Sequence, residues 1–350
     1  MDPLKIDTVK LSDAGDALVI IDQTLLPNEV RYLSLTARED IWKAIPAVRV
    51  RGGPAIGVAA AFGAYLAAYY APDAELEGRF LAACDYLATS RPTAVNLFWA
   101  LDRMRAAYGR VKALPPADIR AALRAEAQAV MDEDIEISRS IGRYGLSLVR
   151  PGMGILTHCN AGTLATAKYG TALAPVYAAI ERGLPGLRVY CDETRPLLQG
   201  ARLSAFEMVS AGVDTTLLCD NMASSLMKSG KVDIIFVGCD RVARNGDAAN
   251  KIGTSGVAIL AAHYGIPFYV CAPSSTIDGA IASGADIPIE FRPPEEVTEL
   301  WYEKRMAPEG VGVYNPAFDV TDAGLITGII TERGLVRAPF EEGFRALGLV

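Results

Sequence analysis

The first 146 residues combine two patterns of apolar and polar positions. A short apolar run at residues 17–21 precedes mixed segments at 23–26 and 29–35 around the turn-forming pair Pro27-Asn28, which predicts a small antiparallel sheet. Apolar residues at i, i+3 and i+4 then predict helices at residues 37–49, 54–71, 74–88, 92–108 and 116–146. We therefore predict a mostly helical N-terminal domain over residues 1–146.

From Pro151 onward the chain changes to short, unbroken apolar runs, which are typical of strands buried on both faces. They occupy residues 154–158, 187–190, 215–218, 234–237 and 267–270. Helical segments separate them at residues 164–182, 199–211, 221–229 and 253–264. This alternation predicts an α/β fold, with a Rossmann-like, doubly wound parallel sheet in a C-terminal domain over residues 147–350.

A cysteine lies within two residues of the end of every one of these runs: Cys159, Cys191, Cys219, Cys239 and Cys271. Because parallel strands end at one edge of their sheet, we expect the five thiols along that edge, where open α/β sheets bind ligands. The alternative is that cysteine is a small apolar residue suited to a crowded strand end. The neighbours of each cysteine must distinguish the two.

Polar residues beside the first two runs favour a binding site. Residues 157–164 read THCNAGTL, and free amides where a helix begins suit a phosphate or a developing oxyanion, although the Walker and dinucleotide glycine motifs are absent. Residues 192–203 read DETRPLLQGARL and include Gln199. Acidic residues often cap helices, but two arginines, an amide and two acids exceed what a cap needs.

Asp240 follows the fourth run and is the strongest candidate for acid catalysis. We expect the mouth of an apolar sheet to desolvate this carboxyl group and favour its protonated form, which suits a proton donor. The polar segment after it contains Asn250 and Lys251. The alternative is a structural ion pair with Arg241 or Arg244, which would favour the ionised form.

Two arginines in the N-terminal domain precede helices that begin with proline. Residues 50–57, VRGGPAIG, place Arg51 before the flexible pair Gly52-Gly53, and residues 90–96, SRPTAVN, place Arg91 before Pro92. Proline suits a first helical turn, and a guanidinium group matches the oxygens of a phosphate. Each segment alone is also an ordinary helix start; together they favour phosphate binding.

Composition narrows the class of protein. The 350 residues are 51% apolar and carry a net charge of -7 without a basic run, which predicts packed domains that do not bind nucleic acid. The acidic N-terminus is unlike a signal peptide, and the apolar stretch at 55–70 is shorter than a bilayer span of roughly 20 residues. We expect a cytoplasmic protein with no membrane segment.

A metal site is not expected. None of the six cysteines belongs to a C-x-x-C pair, and the two histidines, His158 and His263, are far apart in the sequence. We therefore predict reduced thiols and no metal ligands.

Six segments, in order, carry a resemblance to a known family: RGGPAIG, RPTAVNL, HCNAGTLAT, DETRPLLQGARL, VGCDRVARNGDAANKIGT and YNPAFDVT. They resemble the methylthioribose-1-phosphate isomerases, whose superfamily also contains regulatory subunits of translation initiation factor 2B and ribose-1,5-bisphosphate isomerase. The resemblance covers residues from about 20 to 330. It implies a helical domain with a small sheet followed by a Rossmann-like domain, in a homodimer.

The resemblance also implies an activity, the aldose–ketose isomerisation of 5-methylthioribose 1-phosphate in methionine salvage, without a cofactor. A plain 5-deoxyribose 1-phosphate is a further candidate substrate. The catalytic pair of the family corresponds to Cys159 and Asp240. The substrate-binding positions correspond to Arg51, Gly52, Gly53, Arg91, Gln199, Asn250 and Lys251.

This chain departs from the family pattern at two places. Gly53 stands where the family commonly has alanine, which loosens the loop without removing a donor. Residues 291–293 read FRP where the family usually has an acidic stretch, and this leaves the 5-substituent, methylthio or methyl, open.

The superfamily contains two alternative functions. A ribose-1,5-bisphosphate isomerase needs a second basic cluster for the 5-phosphate, and the sequence offers none. A regulatory subunit that senses a nucleotide or sugar phosphate is expected to lack Cys159 or Asp240, whereas this chain has both. We therefore predict an isomerase that acts on a small sugar phosphate.

Overall fold

The computed structural model describes residues 5–92 and 94–350; Thr93, in the second arginine segment, lies outside the described residues, as do residues 1–4. The described chain divides into two units. The first contains the residues up to Ser138 together with Gly162–Gly170, and the second contains Arg139–Ala161 and Thr171–Val350. The domain boundary expected after residue 146 stays a prediction.

The first unit contains the small antiparallel sheet that the sequence predicts, with strands in the order β1 (Val9–Leu11), β2 (Leu18–Ile21) and β3 (Tyr32–Leu35). Residues 23–26 form a turn rather than a strand. The backbone N–H and the hydroxyl of Thr24 both donate to Asp22 Oδ1, at 3.1 and 2.6 Å, and this local bonding competes with strand formation.

Helices form the rest of the first unit, at the five places that the apolar spacing predicts: α1 (Arg38–Ala44), α2 (Gly53–Tyr69), α3 (Leu76–Ala88), α4 (Val95–Val111) and α5 (Pro116–Leu146), which continues into the second unit. Helix α2 is buried on nearly every side, as its alanines and glycines allow. A Cβ atom on Gly57 would lie 2.9 Å from the carbonyl oxygen of Asn96, so glycine permits the close approach of α4. Among the described helices, none is long and apolar enough to cross a membrane.

The second unit contains the parallel sheet and a smaller sheet. The strands are β4 (Gly154–Thr157), β5 (Arg188–Asp192), β6 (Asp214–Leu218), β7 (Ile234–Val237), β8 (Arg241–Ala243), β9 (Ala248–Lys251), β10 (Phe268–Cys271), β11 (Ile277–Asp278), β12 (Phe318–Thr321), β13 (Gly328–Thr331) and β14 (Gly334–Val336). The helices are α6 (Ala174–Glu181), α7 (Ala205–Ser210), α8 (Ala223–Lys228), α9 (Thr254–Tyr264), α10 (Glu295–Thr298) and α11 (Phe340–Ala346). The α/β class and the Rossmann-like sheet are confirmed.

The order of strands in the larger sheet is β14-β13-β10-β7-β4-β5-β6. All pairs except β13–β14 are parallel. From β4 the chain adds β5 and β6 on one side and then returns to add β7, β10 and β13 on the other. The winding therefore reverses between β4 and β7, and such a reversal creates a crevice at the carboxyl ends of the two strands.

The smaller sheet, in the order β11-β8-β9-β12, was not predicted. Its strands contain two to four residues each, too few to show a period, and β9 includes the polar pair Asn250-Lys251. Strands β8 and β9 form a hairpin whose turn contains Gly246, with a φ angle of 95°. The segment after Asp240 is thus ordered as a hairpin, and Asn250 and Lys251 lie on a strand.

Two predicted helices begin differently from expected. The helix expected at 164–182 begins only at Ala174. Tyr169 and Gly170 have positive φ angles of 68° and 75°, and these angles prevent a helix from continuing after a short 3-10 turn. The helix expected at 199–211 begins as a π-helical turn, Gly200–Ser204, and continues as α7. Both differences lie next to segments that contain candidate site residues.

Candidate active site

Cys159 follows β4 with a left-handed backbone, at a φ angle of 66°, which residues other than glycine adopt rarely. Its N–H donates to Thr194 Oγ1 at 2.7 Å, and its carbonyl oxygen accepts from Ser204 Oγ at 2.7 Å. The residue is 8% exposed. The backbone of Cys159 is therefore held from both sides.

The five cysteines lie at the carboxyl ends of β4, β5, β6, β7 and β10, as predicted, and none of them forms a disulfide within the described part of the chain. Burial raises the pKa of the Cys239 thiol to about 12, and burial also raises the pKa of Cys191 and of Cys271. Those three thiols fit the packing alternative. Cys159 differs from them in its left-handed backbone.

Asp240 follows β7, and its N–H donates to the carbonyl oxygen of Ala249 at 2.9 Å. Its side chain is exposed, which differs from the desolvated environment that we expected. Arg241 forms an ion pair with Asp278 at 3.0 Å, and Arg244 lies 3.6 Å from Glu341. Both arginines of the ion-pair alternative thus have carboxylate partners other than Asp240.

A buried histidine–carboxylate pair lies next to Cys159. His158 Nδ1 is 2.9 Å from Asp192 Oδ2, and Nε2 is 2.8 Å from the carbonyl oxygen of Ile252. Because a carbonyl can only accept, Nε2 carries a hydrogen, and a single further proton lies between Nδ1 and Oδ2. Burial disfavours the imidazolium, but the hydrogen bond to Asp192, the charge of Asp192 and smaller contributions from the Ile252 carbonyl and Asp220 together outweigh burial and raise the pKa of His158.

His158, Asp192 and Asp220 bring one potential metal ligand each within 4.8 Å of one another. Both nitrogens of His158 already have hydrogen-bond partners. Both oxygens of Asp220 accept backbone N–H groups, from Thr194 and Arg195 at 2.7 Å. We interpret the group as a hydrogen-bonded cluster, and the absence of metal ligands stays a prediction.

A second buried polar group supports the residue after Cys159. Asn160 Nδ2 donates to Ser204 Oγ at 3.1 Å and to Glu207 Oε1 at 2.9 Å. The Tyr177 hydroxyl donates to Glu207 Oε2 at 3.0 Å. Burial and the nearby Glu207 carboxylate raise the pKa of Tyr177. Sequence analysis missed this group because its hydrogen-bonded pairs are 30 to 47 positions apart.

Gln199 lies just before the π-helical turn and is 7% exposed. Its Oε1 is buried without a hydrogen-bond partner among the described residues. Most buried amide oxygens have a partner, so this oxygen has an accepting capacity that the described residues do not use.

Asn250 and Lys251 lie at the end of β9. Asn250 Nδ2 donates to Thr254 Oγ1 at 3.0 Å. Lys251 Nζ donates to the carbonyl oxygen of Ala317 at 2.8 Å and lies 4.8 Å from the ring centre of Phe318. These contacts order both side chains and leave two of the three ammonium hydrogens of Lys251 for other acceptors.

Glycine at position 253 allows the start of α9 to meet the histidine pair. Gly253 has a φ angle of 102°, and a Cβ atom there would lie 2.7 Å from His158 Cε1. Asp319 accepts the N–H groups of Gly253 and Ser255 at 2.8 and 3.1 Å. The segment that contains Lys251 is thus anchored on both β12 and His158.

In the first unit, the two arginine segments lie side by side. A Cβ atom on Gly53 would be 3.1 Å from Asn96 Nδ2, in the second segment. Gly52 has a φ angle of 87°, and a Cβ atom there would be 2.1 Å from the carbonyl oxygen of Ala165. Arg51 and Arg91 are both half-buried.

The structure groups the predicted site residues by unit. The first unit contains Arg51, Gly52, Gly53 and Arg91. The second contains Cys159, Gln199, Asp240, Asn250 and Lys251. Their assignment as catalytic and substrate-binding residues stays a prediction.

The fold and the site define a class: a Rossmann-like α/β protein with polar, partly buried groups at the crevice where the strand order reverses. Residues 49–338 match the Initiation factor 2 subunit family, and the chain belongs to this family.

Relatives match over the full length of the chain. A methylthioribose-1-phosphate isomerase from Symbiobacterium thermophilum is 65% identical over 348 residues, covering 99% of this chain and 97% of that protein. A 5-deoxyribose 1-phosphate isomerase from Petrotoga mobilis is 56% identical over 342 residues, which cover 97% of this chain and 98% of that protein. The crystal structure of 5-methylthioribose 1-phosphate isomerase from Pyrococcus horikoshii OT3 superposes with a TM-score of 0.94 and 44% sequence identity. The match covers 99% of this chain and 97% of that chain.

We expect Gly52→Ala to lower the free energy of unfolding by about 2 kcal/mol or more, because the left-handed backbone and the Ala165 carbonyl both exclude a methyl group. Gly53→Ala is the matched control. It meets only the movable Asn96 amide and should change stability by less than about 1 kcal/mol. Urea unfolding of both variants checks this, and equal losses would contradict it.

The raised pKa of His158 predicts a pH-dependent stability. The His158–Asp192 pair stabilises the folded state fully below the usual histidine pKa of 6.5. This stabilisation is lost as the pH rises through the higher pKa of His158 in the folded state. The free energy of unfolding of the wild type, minus that of His158→Gln, should therefore fall as the pH rises above 6.5. His263→Gln, at an exposed histidine, is the control. A difference that grows with pH contradicts the shared-proton pair.

Proposed function

We propose that this protein is an aldose–ketose isomerase that converts 5-methylthioribose 1-phosphate to 5-methylthioribulose 1-phosphate in methionine salvage. One observation carries the proposal: Cys159 and Asp240 follow β4 and β7, the two strands between which the winding reverses. A Cβ atom on Gly238 would be 2.6 Å from Ala161 Cβ, so the segments after the two strands are in close contact. The names of the full-length relatives support the same activity.

The substrate determines what the two residues must do. An aldose 1-phosphate is locked as a ring acetal, so the ring must be opened before the carbonyl group can move. Asp240 donates a proton to the ring oxygen, and its exposed position gives a ligand access to it. A hydrogen then moves from C2 to C1, and the C2 hydroxyl loses its proton as C2 becomes the ketone carbon, which balances the proton added to the ring oxygen.

Two routes are open for that hydrogen. In the first, a base removes the C2 proton and an enediol forms, and Cys159 as a thiolate is the base. In the second, hydride moves directly from C2 to C1, and Cys159 shapes and stabilises the transition state. Backbone amides after Cys159 stabilise developing negative charge in either route.

Substrate binding is assigned to the remaining candidates. The buried Oε1 of Gln199 accepts from a sugar hydroxyl, and Asn250 supplies a further amide. From the resemblance, we assign phosphate-binding roles to Arg51, Arg91 and Lys251 and to the amides of Gly52 and Gly53, because guanidinium forks and ammonium groups match phosphate oxygens. From the resemblance alone, we also propose a cytoplasmic homodimer without a resident metal or cofactor.

The relative from Petrotoga mobilis favours a second substrate, 5-deoxyribose 1-phosphate. The two sugars share the 1-phosphate and differ at the 5-position, which is apolar in both. Ribose 1,5-bisphosphate remains the less favoured alternative, because the sequence offers no second basic cluster for a 5-phosphate.

Replacement of the catalytic pair should lower turnover without preventing binding. Asp240→Asn cannot deliver a proton, so kcat should fall by about 10²-fold or more. Cys159→Ser should lower kcat while KM stays within a few-fold, and Lys251→Ala should raise KM instead. Steady-state kinetics of the three variants with 5-methylthioribose 1-phosphate check these outcomes.

The matched control is Asp278→Asn, which removes the ion-pair partner of Arg241 and leaves Asp240 unchanged. It should retain wild-type kcat. If Asp240→Asn retained near-normal kcat and lost thermal stability instead, Asp240 would be a structural residue.

We expect an apolar pocket for the 5-position of the sugar. The value of kcat/KM should therefore be higher for the 5-methylthio and 5-deoxy substrates than for ribose 1,5-bisphosphate, since a 5-phosphate would lose its hydration without gaining cationic partners. Comparison of the three substrates with purified protein measures this. A higher kcat/KM for the bisphosphate would make ribose-1,5-bisphosphate isomerase the better assignment.

A further inference from the structure

We propose that Thr194 and Ser204 are positioning residues that hold the backbone of Cys159 in its left-handed conformation and so set the direction of its thiol. The importance of that direction for turnover rests on the proposed function. The hydrogen bonds themselves do not depend on it.

The conformation of Cys159 needs an explanation. A side chain with a Cβ atom is unfavourable at a φ angle of 66° and persists there only where the surroundings determine it. The φ angle also sets where the Cα–Cβ bond points, so relaxation of the backbone would move Sγ. The two hydroxyls that bond the N–H and the C=O of Cys159 are the groups that oppose this relaxation.

Thr194 holds the amino side of Cys159. Its hydroxyl accepts from the Cys159 N–H at 2.7 Å and donates to the carbonyl oxygen of Asp192 at 3.1 Å, so both of its roles are used and its orientation is set. The backbone of Thr194 is itself anchored, because its N–H donates to Asp220 Oδ1 at 2.7 Å. A Cβ atom on Gly200 would lie 2.8 Å from Thr194 Oγ1, so the π-helical turn packs directly on this hydroxyl.

Ser204 holds the carboxyl side. Its hydroxyl donates to the Cys159 carbonyl oxygen at 2.7 Å and accepts from Asn160 Nδ2 at 3.1 Å. Ser204 is the last residue of the π-helical turn, and such turns often occur at functional sites. The wider turn places this hydroxyl against the Cys159 loop, 45 positions earlier in the chain.

Both hydroxyls come from one continuous segment, residues 194–204, and both are fully buried. This segment contains most of the polar residues that exceeded the needs of a helix cap. The residues of this segment that orient Cys159 are its two hydroxyl side chains, Thr194 and Ser204, and not those charged and amide residues.

The first test compares two substitutions at one position. Thr194→Val keeps the shape and removes both hydrogen bonds, whereas Thr194→Ser keeps the hydroxyl. We expect Thr194→Val to lower kcat by about 10-fold or more with KM within about 3-fold, and Thr194→Ser to restore most of the loss. Thr216→Val, at an exposed threonine on β6, is the control for the substitution itself. Ser204→Ala should lower kcat in the same way, and it carries the test if Thr194→Val fails to fold.

The second test measures the thiol without turnover. Alkylation of Cys159 by iodoacetamide, followed by peptide mass spectrometry, should show a changed rate and pH midpoint in Thr194→Val and in Ser204→Ala, but not in Thr216→Val. If the wild type does not isomerise any of the three sugar phosphates while these alkylation changes occur, the proposed function fails and the positioning role stands. Unchanged kcat and unchanged alkylation in both variants would overturn the positioning role.

The third test separates positioning from general structural damage. In the Cys159→Ser background, the thiol that Thr194 positions is absent, so Thr194→Val should lower the residual kcat by less than about 2-fold. A loss of kcat as large as in the wild-type background would show that Thr194 acts on the fold as a whole, and would overturn the proposal.

Discussion

The parallel pairing of β4 with β7 is the constraint on which the second unit depends. These strands are adjacent in the sheet although β5, β6 and three helices lie between them in the sequence. Because β5 and β6 extend the sheet on one side and β10 and β13 on the other, the connections after β4 and β7 lead away from each other. The small residues Ala161 and Gly238 permit close contact there, and Cys159 and Asp240 lie beside them.

Around this junction, several polar side chains are buried and hydrogen-bonded to one another. His158 joins the ends of β4 and β5 to the segment after β9, and Asn160 with Glu207 joins the β4 loop to α7. A buried hydrogen bond is stronger than one in water, and an unpaired polar group is correspondingly costly. The network therefore favours one arrangement of the Cys159 loop.

Much of this organisation follows from local sequence. Continuous apolar runs predict strands covered on both faces, and all five predicted runs of the second unit are strands. Proline and glycine at residues 52–54 predict the start of α2 correctly, since their backbone preferences act within a few residues. Sequence patterns failed where strands were too short to show a period, as in β8, β9, β11 and β12, and where Tyr169 and Gly170 interrupt an apparently helical pattern.

The sequence by itself thus determined the class of fold, the set of polar segments and the residue types available for chemistry. Only the tertiary structure decided the strand order, the exposure of Asp240 and the left-handed backbone of Cys159. Local propensity cannot predict them, because the hydrogen bonds that hold Cys159 join residues 35 and 45 positions apart. The hydrogen bond between the His158 ring and the Ile252 carbonyl oxygen joins residues 94 positions apart in the sequence. Such contacts exist only after the sheet has brought its strand ends to one edge.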